Sequence, residues 1–333
     1  MRILKTAIIT GAAGQDGLIL GKILCENDYR VVGYVKNHRQ LDRLKNFNCK
    51  VEGKILENPS VDLIRSEIFL TQPSEIYNLA AVSSVAESWI NQDLCDNTNF
   101  NYAELWLKAL HIENLRSVKF YQASSSEMYG NSIGVIKNEL SDFNPVSPYA
   151  KSKLKTHELV QKYREEYHLF AATGILFNHE SPLRDKRFVS RKITSSVAQI
   201  ALGNLKKIEL GNIAILRDWG WAPDYVRAMR LILKETEASD FVIASGTSYS
   251  VENFLTFAFE LANIRNWQDY VLINKTLFRP NEILEIVGDS HKAQLKLGWK
   301  PRTNFYTMIE RMLKYDFDVA KHKIAPDLWC DFQ

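Results

Sequence analysis

The sequence predicts an α/β protein built on a doubly wound parallel sheet, and two observations support this fold class. The first is an apolar, β-branched run at residues 6–10, followed by a glycine-rich loop at 11–17, a helical apolar pattern and a second apolar run at 30–35. A strand, loop, helix and strand in this order form the βαβ unit of a Rossmann-like, dinucleotide-binding fold.

The second observation is that strand and helix patterns continue to alternate along the first half of the chain. We predict strands at 75–81, 118–124 and 169–177, with helices at 97–111 and 152–167 between them. Repeated alternation of this kind is typical of a parallel sheet with helices on both faces.

After residue 178 the pattern loosens, and this indicates a smaller C-terminal domain that binds the substrate. Helices are predicted near 193–202, 225–235 and 251–262, and 224–244 is predicted to form a helix and a strand that return to the main sheet. The cofactor-binding domain is therefore expected to span 1–178 with 214–248, and the smaller domain 179–213 with 249–333.

Bulk composition excludes several classes of partner. The 333 residues carry a net charge of only +3, so nothing in the totals predicts a polyanion partner, and the cationic run at 36–45 is best explained as a solvated loop and helix face. No stretch approaches the run of ~20 apolar residues that spans a bilayer, and the N-terminus lacks a signal-peptide pattern. We expect a cytoplasmic protein with neither a nucleic-acid nor a membrane partner.

The cysteines predict no metal site. Cys25, Cys49, Cys95 and Cys330 are scattered without CxxC or CxxH spacing. Such isolated cysteines are typical of unpaired thiols in a reducing compartment.

The glycine-rich loop is the first candidate site. Its sequence GAAGQDG places Gly11, Gly14 and Gly17 in GxxGxxG spacing, with Gln15 and Asp16 between the last two. Glycines let the backbone approach a pyrophosphate closely, and the N-terminus of the next helix offers N–H donors and a positive dipole. We predict that these five residues bind a dinucleotide, in a spacing that resembles extended short-chain dehydrogenases.

The residues after the second strand indicate which dinucleotide is bound. An acidic residue there binds the ribose of NAD, whereas a basic residue accommodates the phosphate of NADP. Val35 is followed by Lys36, Asn37, His38 and Arg39, with no acid. Lys36 and Arg39 therefore favour NADP, and NAD is the alternative.

A YxxxK motif supplies the candidate catalytic pair. Tyr149 and Lys153 lie four residues apart, so they share one face of a helix. A phenol with a pKa near ~10 is a poor base at neutral pH. A nearby ammonium together with a positive nicotinamide ring should lower that pKa, so that Tyr149 can remove a hydroxyl proton while hydride leaves the same carbon.

A polar cluster at the end of a predicted strand completes the candidate site. Ser124, Ser125, Ser126 and Glu127 stand where an α/β sheet presents its active-site groups. A serine hydroxyl there can bind the same substrate oxygen as the tyrosine. The carboxylate of Glu127 could remove a carbon-bound proton beside a newly formed ketone, which changes the predicted reaction from oxidation to dehydration.

These residues lie within segments that resemble the GDP-mannose 4,6-dehydratase family, a nucleotide-sugar dehydratase branch of the extended short-chain dehydrogenases. The resemblance covers nearly the whole chain. The matching segments are 121–130 (YQASSSEMYG), 147–153 (SPYAKSK), 174–182 (GILFNHESP), 188–194 (FVSRKIT), 210–212, 217–220 (RDWG), 224–226, 279–282 (RPNE), 288–289 and 292–301 (KAQLKLGWKP).

The resemblance implies a hydro-lyase that acts on a GDP-sugar. In the family, hydride passes from sugar C4 to NADP while the residue at Tyr149 takes the O4 proton, assisted by Lys153 and a hydroxyl at Ser125. The residue at Glu127 takes the C5 proton, water leaves from C6, and the hydride returns to C6. The product is a 4-keto-6-deoxy sugar, and the cofactor is regenerated.

The resemblance also implies further contact residues. The guanidinium groups among them suit a diphosphate, because they can donate bidentate hydrogen bonds. For the cofactor they are Leu79, Ala80 and Ala81, and for the substrate they are Ser84, Ser126, Asn178, Lys192, Arg217, Arg279 and Glu282.

Three departures from the family pattern bear on specificity and assembly. The loop after the second strand is shorter than the family's, and since that loop helps to build a tetramer, a homodimer is as consistent with the sequence as a homotetramer. Lys54 stands where the family has an Asp that faces the adenine. The segments 82–85 (VSSV) and 217–226 (RDWGWAPDYV) also differ, which makes a modified GDP-hexose or a GDP-heptose an alternative to GDP-mannose.

Two other functions are consistent with parts of the pattern. A GDP-4-keto-sugar reductase or epimerase would use the same fold with Tyr149 and Lys153, and Glu127 would be idle. A non-catalytic homologue that senses a nucleotide would not need the hydroxyl groups of Ser125 and Tyr149 or the amine of Lys153. The presence of Ser125, Tyr149 and Lys153 argues against the latter.

Overall fold

The computed structural model describes residues 4–47 and 50–322. Residues 1–3, 48–49 and 323–333, which include Cys49 and Cys330, lie outside the described residues. The strands of the described part are β1 Lys5–Thr10, β2 Tyr29–Val35, β3 Glu52–Ile55, β4 Glu75–Asn78, β5 Lys119–Ser125, β6 Ile136–Lys137, β7 Ala171–Leu176, β8 Asn178–Glu180, β9 Ile208–Leu210, β10 Leu216–Trp221, β11 Asp240–Ile243, β12 Ser248–Ser250, β13 Val271–Ile273 and β14 Val287–Gly288.

The α-helices alternate with these strands along the first half of the chain. Short 3₁₀ turns and one π-helical turn at Asn97–Asn101 complete the secondary structure of the described part. The α-helices are α1 Gln15–Glu26, α2 His38–Asn46, α3 Val61–Thr71, α4 Val85–Ile90, α5 Gln92–Asp96, α6 Tyr102–Ile112, α7 Pro148–Glu165, α8 Val189–Ala201, α9 Ala222–Lys234, α10 Val251–Leu261, α11 His291–Leu297 and α12 Phe305–His322.

The central sheet confirms the predicted fold class. Seven parallel strands of the described part lie in the order β11-β7-β5-β4-β1-β2-β3. Helices α1 and α9 pack on one face of the sheet, and α3, α6 and α7 cover the other. Both faces are therefore buried, as a parallel sheet requires, and the central strands contribute mainly apolar side chains to the core.

Three smaller sheets, formed mainly by the second half of the chain, lie beside the carboxyl ends of these strands. Strands β12, β10 and β8 form one, β13 and β9 another, and β14 and β6 a third. Helices α8, α10 and α12 pack together on this side. The helix and strand expected between 224 and 244 do return to the main sheet, because β11 pairs with β7 and α9 packs against β5 and β7.

Several element boundaries differ by a few residues from those predicted, and two of these differences affect the site. The strand expected at 75–81 ends at Asn78, so the predicted cofactor contacts at 79–81 lie in a loop. The helix expected from 152 begins at Pro148, because the Ser147 hydroxyl accepts the Ala150 N–H at 3.1 Å and proline suits the first helical position. Tyr149 is therefore in the first turn of α7.

Three findings concern other expectations from the sequence. None of the helices in 4–47 and 50–322 is long and apolar enough to cross a membrane. Across the same residues, no group of three or more His, Cys, Asp or Glu side chains is arranged to hold a metal ion. Neither Cys25 nor Cys95 forms a disulfide within the described part of the chain.

Candidate active site

The loops that follow β1 and β4 meet at the point where the strand order reverses. A crevice at such a switch point is where open α/β sheets bind dinucleotides. Gly11 adopts φ +67°, and a Cβ there would lie 2.8 Å from the Cα of Ala80. Only glycine allows this close approach, so the GxxGxxG loop and the loop at 79–81 form one wall of the crevice.

The N-terminus of α1 fits a phosphate group. Gly14 is its N-cap and offers no side chain to cap the helix, so the first-turn N–H groups keep their hydrogen-bonding capacity. A Cβ at Gly17 would lie 2.6 Å from the Gly11 carbonyl oxygen, which explains why this position needs glycine. Gly11, Gly14 and Gly17 thus leave the backbone of the predicted cofactor loop uncovered by side chains at the positive end of the α1 dipole.

Gln15 and Asp16 bind the segment around β8, a connection that the motifs alone did not reveal. Gln15 donates to the His179 carbonyl at 3.1 Å and accepts from the Ser181 hydroxyl at 2.8 Å. The Asp16 carboxylate lies 2.9 Å from His179 Nε2. The cofactor loop is therefore hydrogen-bonded to the segment 178–181 (NHES), which begins with Asn178.

The His179–Asp16 pair is an ion pair by geometry. His179 Nδ1 lies 2.7 Å from the Phe177 carbonyl, so both ring nitrogens face acceptors. Burial lowers the pKa of His179, whereas the charge and hydrogen bond of Asp16 raise it. The net shift in the pKa of His179 is upward. Burial raises the pKa of Asp16, whereas the charge and hydrogen bond of His179 lower it, and the net shift is downward.

The cations predicted to select NADP lie at the start of α2. Lys36 and Arg39 are exposed, and Asn37 between them caps the helix by accepting the Gln40 N–H at 3.0 Å. Arg43, one turn further, donates to the Leu183 carbonyl at 2.7 Å. The start of α2 thus presents solvent-accessible cations beyond the end of β2.

Lys54 does not stand unpaired at the position where the family has its adenine-facing Asp. Its ammonium forms an ion pair of 2.7 Å with Glu67 on α3. The Tyr34 hydroxyl donates to the same Glu67 oxygen. The substitution at residue 54 is therefore accompanied by a carboxylate from a neighbouring helix.

Tyr149 and Lys153 both lie in the interior, on the face of α7 that meets β5. Lys153 Nζ donates to the Ala123 carbonyl at 2.8 Å and lies 5.9 Å from the centroid of the Tyr149 ring. Burial lowers the pKa of Lys153 to about 8. Burial also raises the pKa of Tyr149 to about 12, although a hydrogen bond with Ser125 opposes that shift and the Glu127 charge adds to it.

The lowered tyrosine pKa expected from the sequence is therefore not a property of the polypeptide alone. The reason is that desolvation of Tyr149 outweighs the favourable contacts. Arg184 also acts on this phenol, and its positive charge favours the phenolate. Arg184 was missed in the sequence because it lies outside the YxxxK and SSSE motifs.

Glu127 stands in a cleft with three of the predicted substrate residues. It belongs to the 3₁₀ turn Ser126–Tyr129, which follows β5 directly, and its N–H donates to the Ser125 hydroxyl at 3.3 Å. The residues that line the cleft are Val85, Glu127, Val146, Ser147, Arg217, Arg279, Pro280, Asn281, Glu282 and Ile283.

Arg217 is a buried cation fixed at the base of this cleft. It is 4% exposed, and Nη1 donates to the Leu216 and Ile283 carbonyls, each at 2.8 Å. Burial lowers its pKa, the Glu127 charge raises it, and Arg279 lowers it again. Two guanidinium groups, those of Arg217 and Arg279, therefore lie in the cleft beside Glu127. Their positive charge suits a diphosphate attached to the reacting group.

Asp218, beside Arg217, holds this part of the fold in place. Its carboxylate accepts the Ser245 N–H at 2.8 Å, the Ser245 hydroxyl at 2.6 Å and the Gly246 N–H at 2.9 Å. Burial raises the pKa of Asp218 to about 6, and these hydrogen bonds oppose the shift. Strand β10 is thereby tied to the loop that follows β11.

The remaining predicted substrate residues are not among those that line the cleft in the described part of the chain. Ser84 caps α4 by accepting the Glu87 N–H at 3.2 Å, and Ser126 is buried. Asn178 pairs with Trp219 across β8 and β10. Lys192 lies in the first turns of α8 and is partly exposed. The structure therefore groups Arg217, Arg279 and Glu282 with Glu127 and does not place these four in the lining of the cleft.

A set of polar strand residues behind Lys153 was also missed. The side chains of Thr10, Asn78 and Gln122 are buried and hydrogen-bonded to one another, and Gln122 donates to the same carbonyl that Lys153 uses. Each is an ordinary strand residue in the sequence. No motif identifies the three as a set, because they are brought together only by the order of the strands.

The chain matches known proteins over nearly its whole length. The family model described as GDP-mannose 4,6 dehydratase matches residues 8–312. GDP-mannose 4,6 dehydratase 1 of Arabidopsis thaliana is 39% identical, over 96% of this chain and 91% of the relative. The human GDP-mannose 4,6 dehydratase is 38% identical over 95% and 92% of the two chains, and that of Sinorhizobium fredii is 35% identical over 95% and 98%.

Solved structures support the same fold. The UDP-glucose 4-epimerase of Thermotoga maritima, solved with UDP-glucose, superposes with a TM-score of 0.80 at 21% identity, over 95% of this chain and all of that one. The dTDP-glucose 4,6-dehydratase of Streptomyces venezuelae, with NAD and TYD bound, gives 0.81 at 18% identity, over 96% and 98%. The family match and the relatives together show that this chain belongs to the GDP-mannose 4,6-dehydratase family.

Proposed function

We propose that the protein is a GDP-mannose 4,6-dehydratase, which converts GDP-mannose or a closely related GDP-sugar to the 4-keto-6-deoxy sugar. The observation that carries this proposal is the placement of Glu127. Its carboxylate shares a cleft with Arg217 and Arg279 and acts electrostatically on the Tyr149 phenol. An oxidation at one carbon needs the tyrosine alone, whereas elimination needs a second acid–base group beside it.

Each catalytic side chain has a role that its surroundings support. Tyr149 takes the proton from the sugar O4, and Ser125 orients that oxygen through its hydroxyl. Lys153 and Arg184 supply the positive charge that favours the phenolate. Glu127 removes the proton from C5 and then protonates the hydroxyl that leaves C6. The bound nicotinamide cofactor supplies a hydride acceptor at the first step and a donor at the last.

The cofactor is proposed to be NADP, with NAD as the alternative. Lys36 and Arg39 are exposed at the start of α2, where no acid is present to bind a ribose diol. The bare N-terminus of α1 suits the pyrophosphate, and the loop at 79–81 lies against it. Among structural neighbours, one from Pseudomonas aeruginosa was solved with NADPH and one from Thermus thermophilus with NAD.

The diphosphate of the substrate is proposed to lie at Arg217 and Arg279, with Glu282 beside them. Ser84, Ser126, Asn178 and Lys192 are proposed to complete the sugar and nucleotide contacts. We also propose that 1–178 with 214–248 form the cofactor domain and that 179–213 with 249–333 form the substrate domain. The assembly is proposed to be a homodimer or a homotetramer in the cytoplasm.

The proposal is tested by incubating the protein with GDP-mannose and a catalytic amount of NADP. A product lighter by one water, formed without net consumption of cofactor, is expected by mass spectrometry. A GDP-heptose is assayed in parallel, because Ser84 and its neighbours differ from the family's sugar-pocket residues. Stoichiometric loss of NADPH with a keto-sugar substrate, and no dehydration, would instead identify a reductase.

A further inference from the structure

Three buried polar side chains cross the carboxyl ends of the central strands, where a parallel sheet is ordinarily apolar. Thr10 is 0% exposed, and Asn78 and Gln122 are each 1% exposed. The strand register places Thr10 beside Asn78 and Asn78 beside Gln122. Burying such groups costs free energy unless they are hydrogen-bonded, so an apolar row would stabilise the sheet at least as well.

The three side chains form one continuous chain of hydrogen bonds, which we call the polar ladder. The Thr10 hydroxyl donates to Asn78 Oδ1 at 2.6 Å, and Asn78 Nδ2 donates to Gln122 Oε1 at 2.7 Å. Gln122 Nε2 then donates to the Ala123 carbonyl at 2.9 Å. Every bond points the same way, from β1 towards β5.

Both ends of the polar ladder fix this direction. At one end the Thr10 hydroxyl oxygen accepts the N–H groups of Leu79 and Ala80, each at 3.2 Å, which leaves its hydrogen for Asn78. At the other end the Ala123 carbonyl can only accept. The two amides between them therefore have a single orientation that satisfies every partner.

The two ends are also the two parts of the proposed catalytic machinery. Leu79 and Ala80 belong to the loop that packs on Gly11 in the cofactor crevice. The Ala123 carbonyl is the acceptor of the Lys153 ammonium at 2.8 Å. We infer that Thr10, Asn78 and Gln122 are positioning residues that set Lys153 in a fixed relation to the cofactor loop.

The advantage of a polar row is that its hydrogen bonds are directional. Apolar side chains would fill the same space, but they would provide no hydrogen-bonded link between the 79–80 loop and the Ala123 carbonyl. A fully satisfied buried network admits one arrangement and rigidifies it. The inference rests on the proposed function for the roles of Lys153 and the cofactor loop. Its test measures cofactor binding without sugar, so that the result does not depend on whether the protein dehydrates a sugar.

The test is Asn78→Asp, which changes one donor and keeps the shape. When it is ionised, the new carboxylate cannot donate to Gln122, so the Gln122 amide turns over and presents its oxygen to the Ala123 carbonyl. When it is protonated, the new carboxyl group donates its O–H to Gln122 and restores the polar ladder. Since burial raises a carboxyl pKa by up to about 3–5 units, the change between these forms should fall in the neutral to alkaline range.

The readout is the dissociation constant for NADPH, or for NADH if that is the cofactor bound, measured by nicotinamide fluorescence without sugar. At about pH 9 we expect Asn78→Asp to bind about tenfold more weakly than wild type, and at about pH 6 within about twofold, the cost of one unpaired buried group. With sugar present, kcat should fall in the same pH-dependent way while KM changes little.

Thr173→Val is the matched control. Thr173 lies in the same row beside Gln122 and is 0% exposed, and its hydroxyl has no hydrogen-bond partner among residues 4–47 and 50–322. The variant should therefore bind cofactor as wild type does. If Asn78→Asp does not fold, Thr10→Val should weaken cofactor binding about tenfold at every pH. Wild-type affinity in both ladder variants, or an equal loss in Thr173→Val, would overturn the inference whether or not the protein dehydrates a sugar.

Discussion

Replacing Glu127 with glutamine separates oxidation from elimination. The substitution keeps the size of the side chain, and the backbone around it is held independently, because its N–H donates to Ser125 and its carbonyl accepts the Gly130 N–H at 3.2 Å. The change removes the carboxylate that is proposed to take the C5 proton. Loss of a positioned acid–base group slows a reaction by about 10²–10⁴-fold, which is ~3–6 kcal/mol of barrier at ~1.4 kcal/mol per factor of ten.

The assay follows both half-reactions of Glu127→Gln. Because Tyr149 and Lys153 are intact, addition of the GDP-sugar should still convert bound NADP to NADPH, which is seen as a rise in nicotinamide absorbance that persists. Product lighter by one water should be almost absent. Glu282→Gln, in the same cleft, is the control and should raise KM while it leaves elimination intact. Full dehydration by Glu127→Gln, or no NADPH signal on mixing, would refute the role given to Glu127.

Three further outcomes are expected. Arg39→Ala should weaken NADPH binding about tenfold and leave NADH unchanged, because one charge-assisted contact to the extra phosphate is lost; equal effects in fluorescence titrations would contradict NADP selection. Arg217→Lys should raise KM for the GDP-sugar about tenfold, because an ammonium cannot replace a planar guanidinium donor, and unchanged steady-state KM would argue against a diphosphate there. Because the pKa of His179 is raised in the folded protein, this residue stabilises the fold at pH values below its unfolded pKa of ~6.5, and that stability is lost as the pH rises through the folded pKa. Because the pKa of Asp16 is lowered, this residue stabilises the fold at pH values above its unfolded pKa of ~3.9, and that stability is lost as the pH falls through the folded pKa. Wild type should therefore exceed His179→Gln in melting temperature most between about pH 4 and 6.5, and a difference independent of pH would exclude the ion pair.

Much of the fold, and the placement of the candidate catalytic pair on one helix, could be predicted because the signals are local. The βαβ unit, the GxxGxxG loop and the spacing of Tyr149 and Lys153 each lie within one or two consecutive elements. The start of α7 at Pro148 also has a local signal, which is a serine cap followed by proline. The pKa of Tyr149 could not be predicted from the sequence, since it depends on how deeply α7 is buried.

The rest of the site depends on contacts between distant parts of the chain. The polar ladder joins residues 10, 78 and 122, whose adjacency requires β4 to lie between β1 and β5. The pairing of Lys54 with Glu67 and of Asp16 with His179 likewise needs the packed structure. A single sequence can point to Asp16 or Lys54, but neither composition nor spacing identifies the partner of either side chain.

The most direct test of the central claim follows one atom through the reaction. GDP-mannose carrying deuterium at C4 is incubated with the protein and unlabelled NADP, and the product is examined by NMR and mass spectrometry. If the cofactor stores and returns the hydride, and Glu127 exchanges the C5 proton, deuterium is predicted at C6 of a 4-keto-6-deoxy product. Deuterium left in a pool of reduced cofactor, or retained at C4, would contradict the proposed dehydratase.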